Sequence, residues 1–157
     1  MKKRIRRVAR AVRDLAVGAP EPPSMTQIIR RDARSATFFA ALDYINYEKI
    51  PGDVLEFGVF TGLSLALFAH GHGFDPKGMT RRFAGFDSFE GLPPSAESHA
   101  RWQPADCAVN HGWHPLLPVG ARVTPQVTTD LFAACGLQPP ALHIGPFAET
   151  VNRVVPS

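Results

Sequence analysis

Three short apolar runs punctuate the middle and end of the chain. Val54 to Phe57 lies between Gly52 and Gly58, Phe83 to Phe86 precedes an aspartate, and Ala141 to Ile144 precedes Gly145. Runs this short, apolar and bounded by turn residues read as buried strands. Between them the pattern changes. Leu63 to His70 is apolar all round and predicts a helix, with Gly71 and Gly73 placed to terminate it. Thr124 can cap a further helix that has Pro125 at its first position and Gly136 at its close. Ahead of the first strand, Ile28, Ile29, Phe38, Leu42 and Ile45 predict a helix from about Met25 to Lys49. Ser24 and Gln27 can form its capping box, and Pro51-Gly52 ends it. Helices alternating with strands predict an α/β fold with parallel strands and right-handed crossovers.

Composition adds boundaries to this picture. A chain of 157 residues that is 45% hydrophobic is expected to form one domain with an ordinary core. Fifteen prolines without a period imply stiff loops, above all from Ser88 to about Val123. The net charge of +3 is uneven: residues 1 to 14 hold seven Lys or Arg and one Asp, so the remainder is about −3. Ile5, Val8, Ala9, Val12, Leu15 and Ala16 recur at helical spacing among those basic residues. The expected division is therefore a basic amphipathic helix and Pro-rich linker over 1–24, then an α/β domain over 25–157. Such a helix can meet an anionic membrane or nucleic acid. Its small, alanine-rich stripe favours contact with its own domain or a partner subunit, so no nucleic-acid partner is expected. No apolar run approaches the ~20 residues of a membrane-spanning helix. No secretory signal follows the basic start either, and Cys107 and Cys135 have no metal or redox spacing. A cytoplasmic protein with reduced thiols is the expectation.

The candidate chemistry lies where the first two strands end. A strand entering a glycine-containing turn that opens a helix is a nucleotide site, because glycine lets the backbone approach a ligand closely. Here that turn runs from Glu56 through Gly58 and Gly62 to Ser64. Phe60 stands where a dinucleotide fingerprint has its middle glycine, which argues against a pyrophosphate on this turn. The second strand leads to Asp87. A carboxylate only accepts hydrogen bonds and can take two at once, which suits a pair of ribose hydroxyls. A local cap with Ser88 is the structural alternative. Glu56, a charge in an apolar strand, needs a partner: backbone N–H groups or a cationic ligand.

The stretches Gly52-Asp53-Val54-Leu55-Glu56-Phe57-Gly58-Val59-Phe60-Thr61-Gly62 and Gly85-Phe86-Asp87-Ser88-Phe89-Glu90-Gly91-Leu92-Pro93 resemble the macrocin O-methyltransferase (TylF-like) family. Gly145-Pro146-Phe147-Ala148-Glu149-Thr150 is similar to a third element of that family. The resemblance implies a Rossmann-like class I methyltransferase fold, truncated after its third parallel strand. It further implies S-adenosylmethionine as cofactor and methyl transfer to a hydroxyl of a sugar or other small natural-product acceptor. Glu56, Gly58, Gly62 and Ser64 would line the methionine side, Asp87 and Ser88 the ribose, and Gly145 and Phe147 the adenine. The family's magnesium is held by aspartates that map to no residue of this chain, so no metal ligand or catalytic residue is assigned.

An edge argument accompanies the resemblance. With no fourth strand beside it, Val54 to Phe57 would lie on an open apolar edge that invites another chain, a second copy or the N-terminal helix. The rival functions are thus a non-catalytic half-domain that binds a partner, and a different nucleotide enzyme such as an NAD-linked one. Other residues carry less. His70 and His72 would share a face and bind zinc only on a strand. His99, His111 and His114 lie in the long loop that would border the acceptor pocket, where an imidazole could serve as general base. Trp102 and Trp113 could stack on an acceptor, but fit better as loop anchors. Ser64 and Ser88 lack a hydrolase elbow.

Overall fold

The computed structural model describes residues 24, 27–28, 32–73, 80–95, 101–112 and 117–153. The basic segment, the Pro-rich linker, His99, Trp113 and His114 lie outside the described residues. The chain folds in the order α1 (Ser35–Tyr47), β1 (Val54–Phe57), α2 (Leu63–His72), β2 (Phe83–Asp87), α3 (Pro125–Ala134), β3 (Ala141–Ile144) and a short α4 (Phe147–Thr150). A 3₁₀ turn over Val151–Arg153 follows. The three strands are parallel and pair in the order β1-β2-β3.

Side chains of a strand alternate between the two faces of a sheet. Val54, Glu56, Phe83 and Gly85 therefore share one face. The helices cover it with a core of Leu65, Ala66 and Leu67 from α2 and Leu131 and Phe132 from α3. Phe38 and Phe39 of α1 pack on the same cluster. Gly85 is glycine because a Cβ there would lie 2.5 Å from Val59 Cγ2. The opposite face has less cover: Leu55 is 40% and Phe57 49% exposed, both on the outer strand. Across that face runs a row set by register. Phe57 stacks on Phe86 (centroids 4.9 Å) and Phe86 on His143 (4.6 Å), which buries Phe86 fully.

The chain departs from expectation in two places. The helix expected from Met25 to Lys49 is interrupted at Asp32–Arg34. The Asp32 carboxylate accepts the Arg34 backbone N–H (2.9 Å) and its guanidinium (2.7 and 3.0 Å). A short acidic side chain competing for backbone N–H groups in this way starts a new helix at Ser35. The expected capping box is present upstream. The Ser24 N–H donates to Gln27 Oε1 (2.8 Å) and the Gln27 N–H to Ser24 Oγ (3.4 Å). Second, Gly71 sits inside α2 instead of ending it. A Cβ there would lie 2.7 Å from the Phe39 ring, so the glycine allows α1 to approach.

Two links fix the entry into the sheet. Arg81 is buried, and its guanidinium donates to the carbonyls of Ile50 (2.7 Å) and Gly52 (2.8 Å) and to Asn46 Oδ1. It thereby ties the end of α1 to the start of β1. Beside it Arg82 pairs with Asp53 at 2.7 Å. At the other end of the core, Thr128 of α3 is fully buried against the turn at Gly62. Its hydroxyl has no hydrogen-bond partner among the described residues. A buried hydroxyl without a partner costs about 1–3 kcal/mol. Thr128→Val keeps the shape and removes that cost, so it should stabilise the protein by about 1 kcal/mol. A urea midpoint at or below the parent's would refute this.

Candidate cofactor site

The C-terminal ends of parallel strands face one side, and the loops leaving them build the site. β1 is followed by Gly58, whose N–H donates to the Phe86 carbonyl (2.9 Å). The next turn closes at Gly62, which starts α2 in a left-handed conformation (φ 78°). β2 ends on Asp87. β3 is followed by Gly145, whose N–H donates to the Asp87 carbonyl (3.0 Å). These three ends converge on a cavity of about 620 Å³. Gly58, Asp87, Ser88, Gly145 and Phe147 all line it. The remaining wall is largely apolar and comes from Phe60, Phe89 to Pro94, Pro104, Ala105, Cys107, Val123 and Pro146. Its size is that of a small-molecule pocket. At Gly58 (φ 87°) a Cβ would meet nothing within 4 Å, so the backbone borders open space.

Asp87 joins two of these loops. The Phe60 N–H donates to its Oδ2 (2.8 Å) and the Phe89 N–H to its Oδ1 (2.7 Å). Both donors are in the left-handed region, with φ 51° at Phe60 and 56° at Phe89. That conformation costs an L-residue about 1–2 kcal/mol. Hydrogen bonds to a charged group contribute about 1.5–3 kcal/mol each, enough to offset it. Each oxygen can accept a further hydrogen bond, so a ribose diol has acceptors left.

The long loop is held by its own backbone. Leu92 N–H donates to the Asp106 carbonyl (2.7 Å) and Ala105 N–H to the Leu92 carbonyl (2.9 Å). Trp102 Nε1–H donates to the Pro93 carbonyl (3.0 Å), a link within the loop itself, and the ring stays exposed instead of reaching the core as expected. An antiparallel bridge between Val109 and Arg122 returns the chain to Val123 at the cavity wall.

This arrangement of strand ends, turns and acidic residue can be set beside known proteins. The family model for macrocin O-methyltransferase (TylF) matches residues 2–154. The chain belongs to the macrocin O-methyltransferase family. Among solved structures, the O-methyltransferase NovP is similar at 21% identity and a TM-score of 0.53, covering 77% of this chain and 48% of NovP. A second, the calicheamicin methyltransferase CalS11, has 24% identity and a TM-score of 0.49, covering 92% of this chain and 58% of CalS11. The chain thus spans about half the length of these structures. NovP supports the fold, a class I methyltransferase sheet of which three parallel strands are present among the described residues. No curated protein matches the sequence.

In this member of the macrocin O-methyltransferase family, the remaining expected site residues lie apart from the cavity wall. Gly62 packs against Thr128, and a Cβ there would lie 2.5 Å from Thr128 Cγ2. The Ser64 hydroxyl donates to Glu56 Oε1, while Glu56 Oε2 is buried without a hydrogen-bond partner among the described residues. Burial raises the Glu56 pKa above its ordinary 4.5, against the pull of Ser64 and of Arg34. A carboxylate orphaned in this way fits a cationic group better than it fits an empty interior.

The sign of its pH effect follows from that direction. A raised carboxyl pKa means that the folded state holds this proton more tightly than the unfolded state does. The stability it contributes is therefore complete below pH 4.5 and is lost as pH rises through the folded value. Glu56→Gln should flatten this slope. Urea midpoints of parent and variant across that range check it, and identical slopes would refute it.

Phe60, Phe89 and the wall residues Pro104, Ala105 and Cys107 were not singled out as site residues from the sequence. Phe60 left one signal, as the misfit in a glycine pattern. The histidine pair does not form a metal site. His70 and His72 sit on α2, where residues two apart point about 200° away from each other. His72 Nδ1 is buried without a partner among the described residues, and its ring packs on Phe83. Among the described residues no group of three His, Cys, Asp or Glu gathers where a metal could bind. Cys107 and Cys135 are free thiols. No helix among the described residues is long and apolar enough to cross a membrane.

Proposed function

We propose that this chain is the cofactor-binding portion of an S-adenosylmethionine-dependent O-methyltransferase whose acceptor is a hydroxyl of a sugar or other small natural product. One observation carries the reading: the ends of all three strands of a macrocin O-methyltransferase family chain converge on a single cavity, bringing Gly58, Asp87, Ser88, Gly145 and Phe147 to its wall. The wall fits the group. It is apolar enough for an adenine, offers a carboxylate to a ribose, and leaves backbone open at Gly58.

Bound S-adenosylmethionine would supply a methyl group activated by a sulfonium. The chain's own residues would bind and orient it. Asp87 would accept hydrogen bonds from ribose hydroxyls, with Ser88 beside it. Phe147 and Gly145 would flank the adenine, and the loop from Phe89 to Pro94 would exclude water. Glu56, Gly62 and Ser64 are assigned to the methionine end on the family resemblance, set back behind the cavity wall. Magnesium, implied by the resemblance, has no ligand cluster among the described residues, and no step is assigned to it. The domain division at residue 24 and a cytoplasmic location belong to the same proposal.

Titration calorimetry with S-adenosylhomocysteine tests the cofactor reading. Saturable one-to-one binding is the expected result, and its absence would overturn it. Methyl transfer to a hydroxylated acceptor, with and without magnesium, tests activity separately. A second reading, a non-catalytic half that pairs with another chain, draws on the exposed Leu55 and Phe57 of β1. Sedimentation showing a monomer active in methyl transfer would exclude it.

A further inference from the structure

We infer that Asp87 is a positioning residue, shaping the cavity by clamping the turn after β1 to the loop after β2, in addition to any contact with a ribose. The inference rests on the cofactor reading above, which it deepens.

Phe60 and Phe89 lie 29 positions apart in sequence, on two different loops, and both line the cavity. Their N–H groups reach the two oxygens of one carboxylate, at 2.8 and 2.7 Å. Both carry a positive φ, a conformation with little intrinsic preference for phenylalanine, so something outside each residue has to hold it. The carboxylate fork does so for both at once. An acceptor-only group with two oxygens can serve two opposed donors, whereas an amide can accept through one oxygen only. Phe89 is buried among Val59 and Val123, and Phe60 packs against the same cluster. Release of either N–H would therefore move an aromatic side chain at the cavity wall. The clamp holds the two walls at a fixed separation before any ligand arrives, and preorganisation of this kind lowers the ordering cost of binding.

A cycle between protein and ligand variants separates positioning from direct contact. S-adenosylhomocysteine and its 2′,3′-dideoxy analogue, which lacks the ribose hydroxyls, are titrated into parent and Asp87→Ala protein. Hydrogen exchange at the Phe60 and Phe89 amides is followed in the unliganded proteins. The expected result is a loss of about tenfold or more for the dideoxy analogue as well, with faster exchange at both amides and unchanged protection in β2 and α2. A loss confined to the hydroxyl-bearing ligand, or unchanged exchange at both amides, would overturn the inference. Should Asp87→Ala fail to fold, Asp87→Asn keeps one acceptor oxygen. Faster exchange at one of the two amides is then expected, and slow exchange at both would refute the clamp. If the parent binds neither ligand, the cofactor reading fails by itself, and the exchange data still decide the clamp.

Discussion

Gly91→Ala is expected to lower the stability of the protein by about 2–5 kcal/mol. Two effects add. Gly91 has φ 84°, and an L-residue pays about 1–2 kcal/mol in that region. The added Cβ would also stand 2.6 Å from the Asp106 carbonyl oxygen and 2.7 Å from the Ala105 carbonyl. These are backbone atoms and cannot rotate aside. They are further held by the Leu92 to Asp106 and Ala105 to Leu92 hydrogen bonds, which a retreat would break. Overpacking of this kind costs about 1–3 kcal/mol. Such a loss is a large part of the ~5–15 kcal/mol that a typical domain has. Gly120→Ala is the control, because φ is 81° there but nothing lies within 4 Å of the new Cβ. Urea midpoints with unchanged m-values provide the comparison. If the two variants are equally destabilised, the clash is not real. Because Gly91, Leu92, Pro104 and Ala105 all line the cavity, the surviving folded fraction of Gly91→Ala should also bind ligand more weakly.

Gly58→Val is expected to remove binding of S-adenosylhomocysteine while leaving a folded protein. A β-branched residue at φ 87° is strained, at a cost of about 2 kcal/mol. Unlike Gly91, Gly58 has no neighbour within 4 Å of its missing Cβ, so the fold has room for the side chain. That room is the cavity. An isopropyl group there would occupy ligand space, and a drop of at least tenfold in affinity, about 1.4 kcal/mol, should follow. Gly58→Ala should fall between parent and valine variant. Calorimetric titration checks the affinity and urea unfolding checks the fold. Undiminished binding by the valine variant would place the cofactor elsewhere.

Much of the fold was legible in the sequence. The strands Val54–Phe57 and Ala141–Ile144 have the expected limits because glycine or proline residues bound short apolar runs. β2 runs one residue further, onto Asp87. Less visible were features decided by competition between side chain and backbone. Asp32 falls inside the helix expected from Met25 to Lys49, yet its carboxylate takes a backbone N–H where that helix is interrupted. Gly71 looked like a terminator because its pairing with Phe39 is tertiary. For the site, the turn, Asp87 and the family resemblance together pointed to eight residues, of which Gly58, Asp87, Ser88, Gly145 and Phe147 share one cavity while Glu56, Gly62 and Ser64 lie apart from its wall. The Phe89 N–H, two residues on, is the kind of local turn donor that the sequence allowed for Asp87, but no local pattern encodes the Phe60 N–H, which reaches the same carboxylate from 27 positions away.

The row of Phe57, Phe86 and His143 has a practical consequence. Its rings lie 4.9 and 4.6 Å apart across three strands whose ends carry the cavity. Stacked aromatic rings shift the magnetic resonances of the protons above and below them. The imidazole protons of His143, over the face of Phe86, should therefore resonate away from free histidine in a proton spectrum. Any ligand or partner chain that changes the spacing of the strands would move those signals, so the molecule carries an intrinsic, label-free reporter of its own sheet.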